Sequence, residues 1–277
     1  LEIVMTKHQI VSKEHWLEAR RALLAKEKQL TRERDELARQ RRELPWERVE
    51  KHYTFDSSRG KVALADLFGS HSQLLIYHFM FGPDWKEGCP SCSYVSDHLD
   101  GAMPHLAARD VSLMMVSHAP LAKIEPFKKR MGWRFPWVSS FGSDFNFDYH
   151  VSFTPEQKID GKVDYNYTMQ KFPSDEAPGA SVFYKDPSTG QIFHTYSTYG
   201  RGLDAFLGTY TLLDLVPKGR DEEALPFAMA WVRYHDRYDN DAFADADKPY
   251  WPKVMSKSSA PAAVSSCGCG SSNGAQS

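Results

Sequence analysis

The apolar run LLIYHFMF at 74–81 is followed, after a short polar loop, by EGCPSCS at 87–93. Beyond it, Val95, Leu99, Met103 and Leu106 recur at helical spacing. A run of that length and β-branched and aromatic character reads as a buried strand, and the spacing after it as an amphipathic helix. A strand that passes through a loop into a helix bearing two cysteines at its start restricts the chain to α/β architectures.

The rest of the central region keeps that rhythm. Apolar stretches lie at YTF (53–55), VALADLF (62–68), VSLMMVS (111–117), FPWVSS (135–140), ASVFYKD (180–186) and QIFHTYS (191–197). A second helical pattern carries Ile124, Phe127 and Met131. The last two runs flank DPSTG, which has Pro and Gly where a hairpin turn wants them. A closing helix is expected around Leu203–Leu215.

This gives one α/β domain at 51–218 with appendages. Residues 1–50 form an N-terminal arm, because 13–44 lack Gly and Pro and repeat Leu23, Leu30, Leu37 and Leu44 every seventh residue. One apolar position per heptad is thin for a coiled coil. The stripe is therefore expected against the main domain, with a homodimer contact as the alternative. Pro45 ends the helix. Residues 141–179, aromatic and polar without period, read as an insertion or long loop, 219–255 as a helical C-terminal extension, and 256–277 as a disordered Ser/Ala/Gly tail.

Net charge is −2 over 277 residues, so neither nucleic acid nor an anionic membrane is an expected partner. No stretch approaches the apolar length of a spanning helix, about 18 residues, and no signal-peptide pattern opens the sequence. The expected compartment is the cytoplasm. The four cysteines fall in two close pairs, Cys89/Cys92 and Cys267/Cys269. In a reducing compartment such pairs point to redox chemistry or metal binding.

Three chemistries fit EGCPSCS: a redox pair, half of a metal site, or two core residues. At a strand-to-helix junction the redox reading has a physical basis. Pro90 suits the first helical position, where its missing N–H costs nothing. Cys89 then caps the helix, facing unpaired N–H groups and the positive end of the dipole, which lowers a thiol pKa. Cys92, one turn on, shares a face with Val95 and Leu99 and is shielded. Cys89 is thus the expected nucleophile and Cys92 the resolving thiol. No second CxxC follows at zinc-finger distance.

FDSSRGKVALADLFGSHSQLLIYHFMF and VSLMMVSHAPLAKIEPFKKRMGWRFPWVSS resemble thioredoxin-fold proteins of the peroxiredoxin and thiol–disulfide reductase group. FMFGP, GCPSCS, the charged N-terminal helix and YSTYGRGLDAFLGTYTLLDL resemble, over roughly 13–250, the family catalogued as domain of unknown function 899. That family is described as predicted dithiol–disulfide oxidoreductases. The resemblance implies a thioredoxin-like sheet flanked by helices, and a cis-proline beside the cysteines, for which Pro178 is the candidate, with Pro173 or a plain loop proline as the alternatives. The chain departs from peroxiredoxins: Pro83 lies six residues before Cys89, Lys86 stands in place of the expected hydroxyl, and PGASVFY lacks an arginine.

Around the pair, Trp85, Lys86, Pro90 and His78 are expected neighbours. The function expected is thiol–disulfide exchange without a bound cofactor. Its partners would be a disulfide-bearing protein or small thiol substrate and an external thiol reductant. One alternative is a copper- or zinc-binding protein using Cys89, Cys92, His78, His118 and His150. Another is a binding module in which the cysteines are incidental.

Overall fold

The computed structural model describes residues 8–158 and 160–238. The tail pair Cys267/Cys269 and the 256–277 segment lie outside the described residues, as does 239–255 of the expected extension.

The chain opens with α1 (Lys13–Arg42). Ser12 caps it, its hydroxyl accepting the His15 N–H at 3.4 Å, and Arg39, Arg41 and Arg42 occupy the last turn, where the dipole favours cations. No residue of α1 is buried, and Leu23, Leu30 and Leu37 are each about half exposed. The leucine stripe therefore does not lie against the main domain. One apolar residue per two turns gives too little area to hold a long helix down. Glu36–Arg39 and Glu43–Arg39 pairs on its own surface decorate it instead.

The strands that follow are β1 (Glu47–Arg48), β2 (Thr54–Ser57), β3 (Gly60–Ala63) and β4 (Gln73–His78). Then come α2 (Pro90–Leu99), α3 (Met103–Ala107), β5 (Val111–Ser117), α4 (Leu121–Arg130) and β6 (Trp137–Ser139). The 141–179 stretch holds a short helix, α5 (Phe145–Asp148), and a separate hairpin, β7 (Lys162–Tyr165) with β8 (Thr168–Lys171). β9 (Gly179–Lys185), β10 (Ile192–Tyr199) and α6 (Gly208–Leu213) complete the domain. The closing helix expected at 203–215 is thus split, a 3₁₀ segment at Gly200–Phe206 preceding α6.

One eight-stranded sheet runs in the order β1-β10-β9-β4-β5-β6-β2-β3. β4, β5 and β6 are parallel, while β9 runs antiparallel to β4 and β10 to β9. Strand, helix, parallel strand, then an antiparallel pair and a closing helix is a thioredoxin-like order, with α2 leaving the C-terminal end of the central strand.

Strand alternation divides the core in two. Tyr77 and Phe79 enter one cluster with Cys92, Val95, Phe127 and Trp137. Leu74 and Ile76 enter the other with Phe55, Val116, Phe145 and Phe183. The insertion packs as a third small cluster around Val151, Val163 and Tyr165.

Residues 221–238 do not form the expected α-helix; only His235–Arg237 make a 3₁₀ turn. Their aromatic residues are consumed by tertiary contacts: Val232 and Tyr234 are buried in the α2/α4 cluster, and Arg237 and Asp236 reach ion pairs on other elements.

Candidate redox site

Cys89 is the N-cap of α2 (φ −60°, ψ 131°), and Pro90 takes the first helical turn. The cap is pinned from both sides: the Cys89 N–H donates to Met80 O at 3.0 Å, and Ser93 donates its N–H and hydroxyl to Cys89 O, each at 2.9 Å. Gly88 has no room for a side chain, since a Cβ there would lie 2.5 Å from the Phe79 ring and 2.8 Å from Phe127. The glycine thus lets the loop press onto the aromatic core just before the cysteine.

Both thiols are free. Cys89 is partly exposed and Cys92 is 1% exposed. Hydrogen bonding from Cys92 lowers the Cys89 pKa to about 7; the backbone N–H groups of Cys92 and Ser91 add to this, and burial opposes it. Burial drives Cys92 the other way, well above an ordinary thiol, and the neighbouring Cys89 reinforces it. Two donors oppose this, the Tyr77 side chain and the Met80 N–H, which lies 3.4 Å from Cys92 Sγ. The first proton therefore leaves Cys89.

A strap at 231–238 clasps the approach to this cap. Tyr234 Oη donates to Gly88 O at 2.6 Å. Arg237 grips Glu87 through both carboxylate oxygens, at 2.9 and 2.7 Å. Arg130 joins Glu87 to Asp236, with 2.8 and 3.0 Å bonds to the latter. The two guanidinium groups stand over the Tyr234 ring, at 4.9 and 5.1 Å from its centroid. These arginines hold the Glu87 carboxyl below its usual range, Arg237 most strongly. None of these residues was singled out from sequence, since a tyrosine 145 positions after Cys89 carries no local signal. Glu87 and Gly88 flank the motif and were legible only as loop.

The other expected residues separate. Pro90 is exposed at the first turn, and Trp85 is half-buried against the Cys92 cluster. Lys86 is exposed beside it. His78 is not a neighbour of the cysteines. It closes β4 on the opposite face, stacked on Tyr149 and bonded through Nε2 to Ser181 Oγ at 2.8 Å. Alternation is the reason: Tyr77 and Phe79 take the cysteine side, so His78 cannot. Burial lowers its pKa to about 3.

His118 follows β5 and pairs with the buried Glu176 at 3.0 Å, while His150 is exposed beside Asp164. The alternative metal set Cys89, Cys92, His78, His118 and His150 is therefore not assembled. Among the described residues no three His, Cys, Asp or Glu side chains could hold a metal ion. Pro178 does not carry a cis bond, for every peptide among the described residues is trans. Its carbonyl accepts the Tyr165 hydroxyl at 2.7 Å, and Gly179 enters the β9 ladder opposite His78, so the trans chain is anchored on both sides.

Residues 5–238 match the family model described as "Bacterial protein of unknown function (DUF899)". The chain belongs to this family. No curated protein matches this family member. It is similar to solved structures that include a peroxiredoxin Q mutant from Xylella fastidiosa, at 12% identity, 60% of this chain, 94% of the other and TM-score 0.37. Peroxidoxin BcpB from Mycobacterium tuberculosis gives 12%, 60%, 95% and 0.36. A putative thiol:disulfide interchange protein DsbE from Chlorobium tepidum gives 12%, 58%, 92% and 0.35. No described helix is long and apolar enough to cross a membrane.

Proposed function

We propose that this protein is a thiol–disulfide oxidoreductase working through Cys89 and Cys92. The observation that carries the reading is the opposite displacement of two adjacent thiols: a partly exposed helix-capping Cys89 with its pKa lowered to about 7, beside a buried Cys92 raised well above the ordinary range. Near neutral pH about half of Cys89 is thiolate, while Cys92 stays protonated and donates to it.

The Cys89 thiolate attacks one sulfur of a substrate disulfide, forming a mixed disulfide and expelling the other sulfur as thiolate. Cys92 then loses its proton and attacks Cys89 Sγ, releasing the second substrate thiol and leaving Cys89–Cys92 oxidised. An external dithiol reductant restores the pair by the reverse exchange. No bound cofactor enters these steps. The substrate is a protein disulfide or a small disulfide.

The test is a trap. The Cys92→Ser protein, mixed with oxidised glutathione, should accumulate glutathione on Cys89 by mass spectrometry, whereas the unaltered protein should show an internal disulfide and little adduct. If Cys92→Ser gains no adduct on Cys89 while remaining folded, the reading fails.

A further inference from the structure

On the sheet face turned away from the cysteines, a chain of side-chain hydrogen bonds runs from the core to the edge. His78 Nε2 lies 2.8 Å from Ser181 Oγ, Ser181 Oγ 2.7 Å from Ser197 Oγ, and Ser197 Oγ 2.7 Å from His194 Nε2. His194 Nδ1 lies 3.4 Å from Glu47 Oε2. The last three residues are a serine, an imidazole and a carboxylate in the order a nucleophile, its base and the base's orienting group require.

Their meeting depends on one irregularity. Residues three apart in a regular strand point to opposite faces. Between His194 and Tyr196 the β10–β9 register shifts by one, so His194 faces Phe183 and Ser197 faces Ser181 on the same side. Bulges that re-aim a side chain are common beside active sites. β1 meets β10 at this point, with Glu47 the direct cross-strand partner of His194.

His78 is buried, and its Nδ1 has no partner. If protons pointed from Ser197 toward His78, Nδ1 would be a bare buried N–H; pointing the other way, it is only a bare lone pair, the more tolerated of the two. His78 then donates from Nε2 to Ser181, Ser181 to Ser197, and Ser197 to His194 Nε2. His194 is left with Nδ1–H aimed at Glu47, the tautomer a general base needs.

The three residues line a cavity of about 340 Å³ together with Leu44, Pro45, Tyr167 and Tyr196. Tyr167 is exposed at its rim, and its hydroxyl donates to Ser197 O at 3.0 Å, which fixes the phenol beside the serine. A cavity of this size, with Leu44, Pro45, Tyr167 and Tyr196 beside the polar groups, has room for a small ester.

We propose that Ser197, His194 and Glu47 form a second, thiol-independent site that hydrolyses small carboxylic esters. Ser197 Oγ bonds to the ester carbonyl carbon while its proton passes to His194 Nε2. Collapse breaks the bond to the alkoxy oxygen, which leaves with that proton as the alcohol. Water, deprotonated by the same imidazole, then releases the acid and restores Ser197. Ser181 supplies a hydrogen bond to Ser197 Oγ throughout. This site does not depend on the redox reading, and either can fail alone.

The test uses the full chain. A fluorophosphonate reagent is reacted with the folded protein, and the modified residue is located by mass spectrometry, with a known serine hydrolase as positive control in the same tube. Phosphonylation should fall on Ser197, be blocked by excess p-nitrophenyl butyrate, and drop by about 100-fold or more in His194→Ala, the usual worth of a general base. The blocking arm needs no variant, so a misfolded His194→Ala cannot hide the answer. p-Nitrophenyl butyrate turnover is read in the Cys89→Ser protein, because a thiolate cleaves such esters itself, and Ser197→Ala should remove it. Absence of label on Ser197, or label undiminished by His194→Ala, overturns the proposal.

Discussion

The two faces of the central sheet carry two different solutions to burying reactive groups. On the α2 face, Cys89 and Cys92 sit at a helix start, where backbone N–H groups and a short list of donors split two chemically identical thiols apart. On the other face, His78, Ser181, Ser197 and His194 satisfy one another in a row, and the deepest member is held neutral by burial. The first face sets a charge and leaves it reachable. The second spreads hydrogen bonds so that no charge is needed inside. A thiolate can be stabilised from one end of a helix, whereas a buried imidazole without a counter-charge must give up its proton.

The largest effect that separates the faces comes from Cys89→Ser. It should abolish disulfide exchange, measured with an insulin- or glutathione-type disulfide, and leave fluorophosphonate labelling of Ser197 unchanged. A parallel loss on both faces would mean that the faces are one site.

Acid should strike the His78 face. Its folded-state pKa of about 3 lies below the unfolded value, 6.5 in ordinary histidine, so between those pH values the unfolded chain binds a proton that the folded one does not. Stability from this group is complete above pH 6.5 and falls as pH drops toward 3, by up to about 1.4 kcal/mol per pH unit. Urea melts of the parent and His78→Phe proteins from pH 7 to pH 4 measure this; the variant should be the less acid-sensitive of the two. Equal slopes would show that other groups govern the acid limb.

Gly88→Ala tests the cysteine face by crowding. The added methyl meets Phe79 and Phe127, and overpacking of this kind costs about 1–3 kcal/mol. Thermal melting should register it, and the pH midpoint of the iodoacetamide rate at Cys89, expected near 7 in the parent, should shift as the cap moves. A smaller version is Tyr234→Phe, which removes only the bond to Gly88 O and should cost about 1 kcal/mol. A melting temperature identical to the parent's would show that the strap is held by its arginine pairs rather than by the phenol.

The motif and its surroundings were readable because they are local. A strand, a loop and Pro90 behind Cys89 are contiguous, and helix capping acts within one turn, so the capping place of Cys89 and the burial of Cys92 followed from spacing. Nearness in sequence puts His78 beside the cysteines, but two-residue alternation from Tyr77 sends it to the other face. The 221–238 segment read as helix because apolar spacing cannot foresee that Val232 and Tyr234 will be claimed by α2 and α4. The α1 stripe read as docked because periodicity gives a face but not the presence of a surface to receive it.

By itself, then, the sequence determined the alternating α/β order, the two faces of each strand and the unequal cysteines, since each depends on side chains a few residues apart. Tertiary structure alone decided that Tyr234 and two arginines clasp the cysteine loop, and that Glu47, His194 and Ser197 meet. The first rests on a bond between residues 146 positions apart. The second needs a one-residue slip in β10, which depends on how two strands register rather than on what either contains.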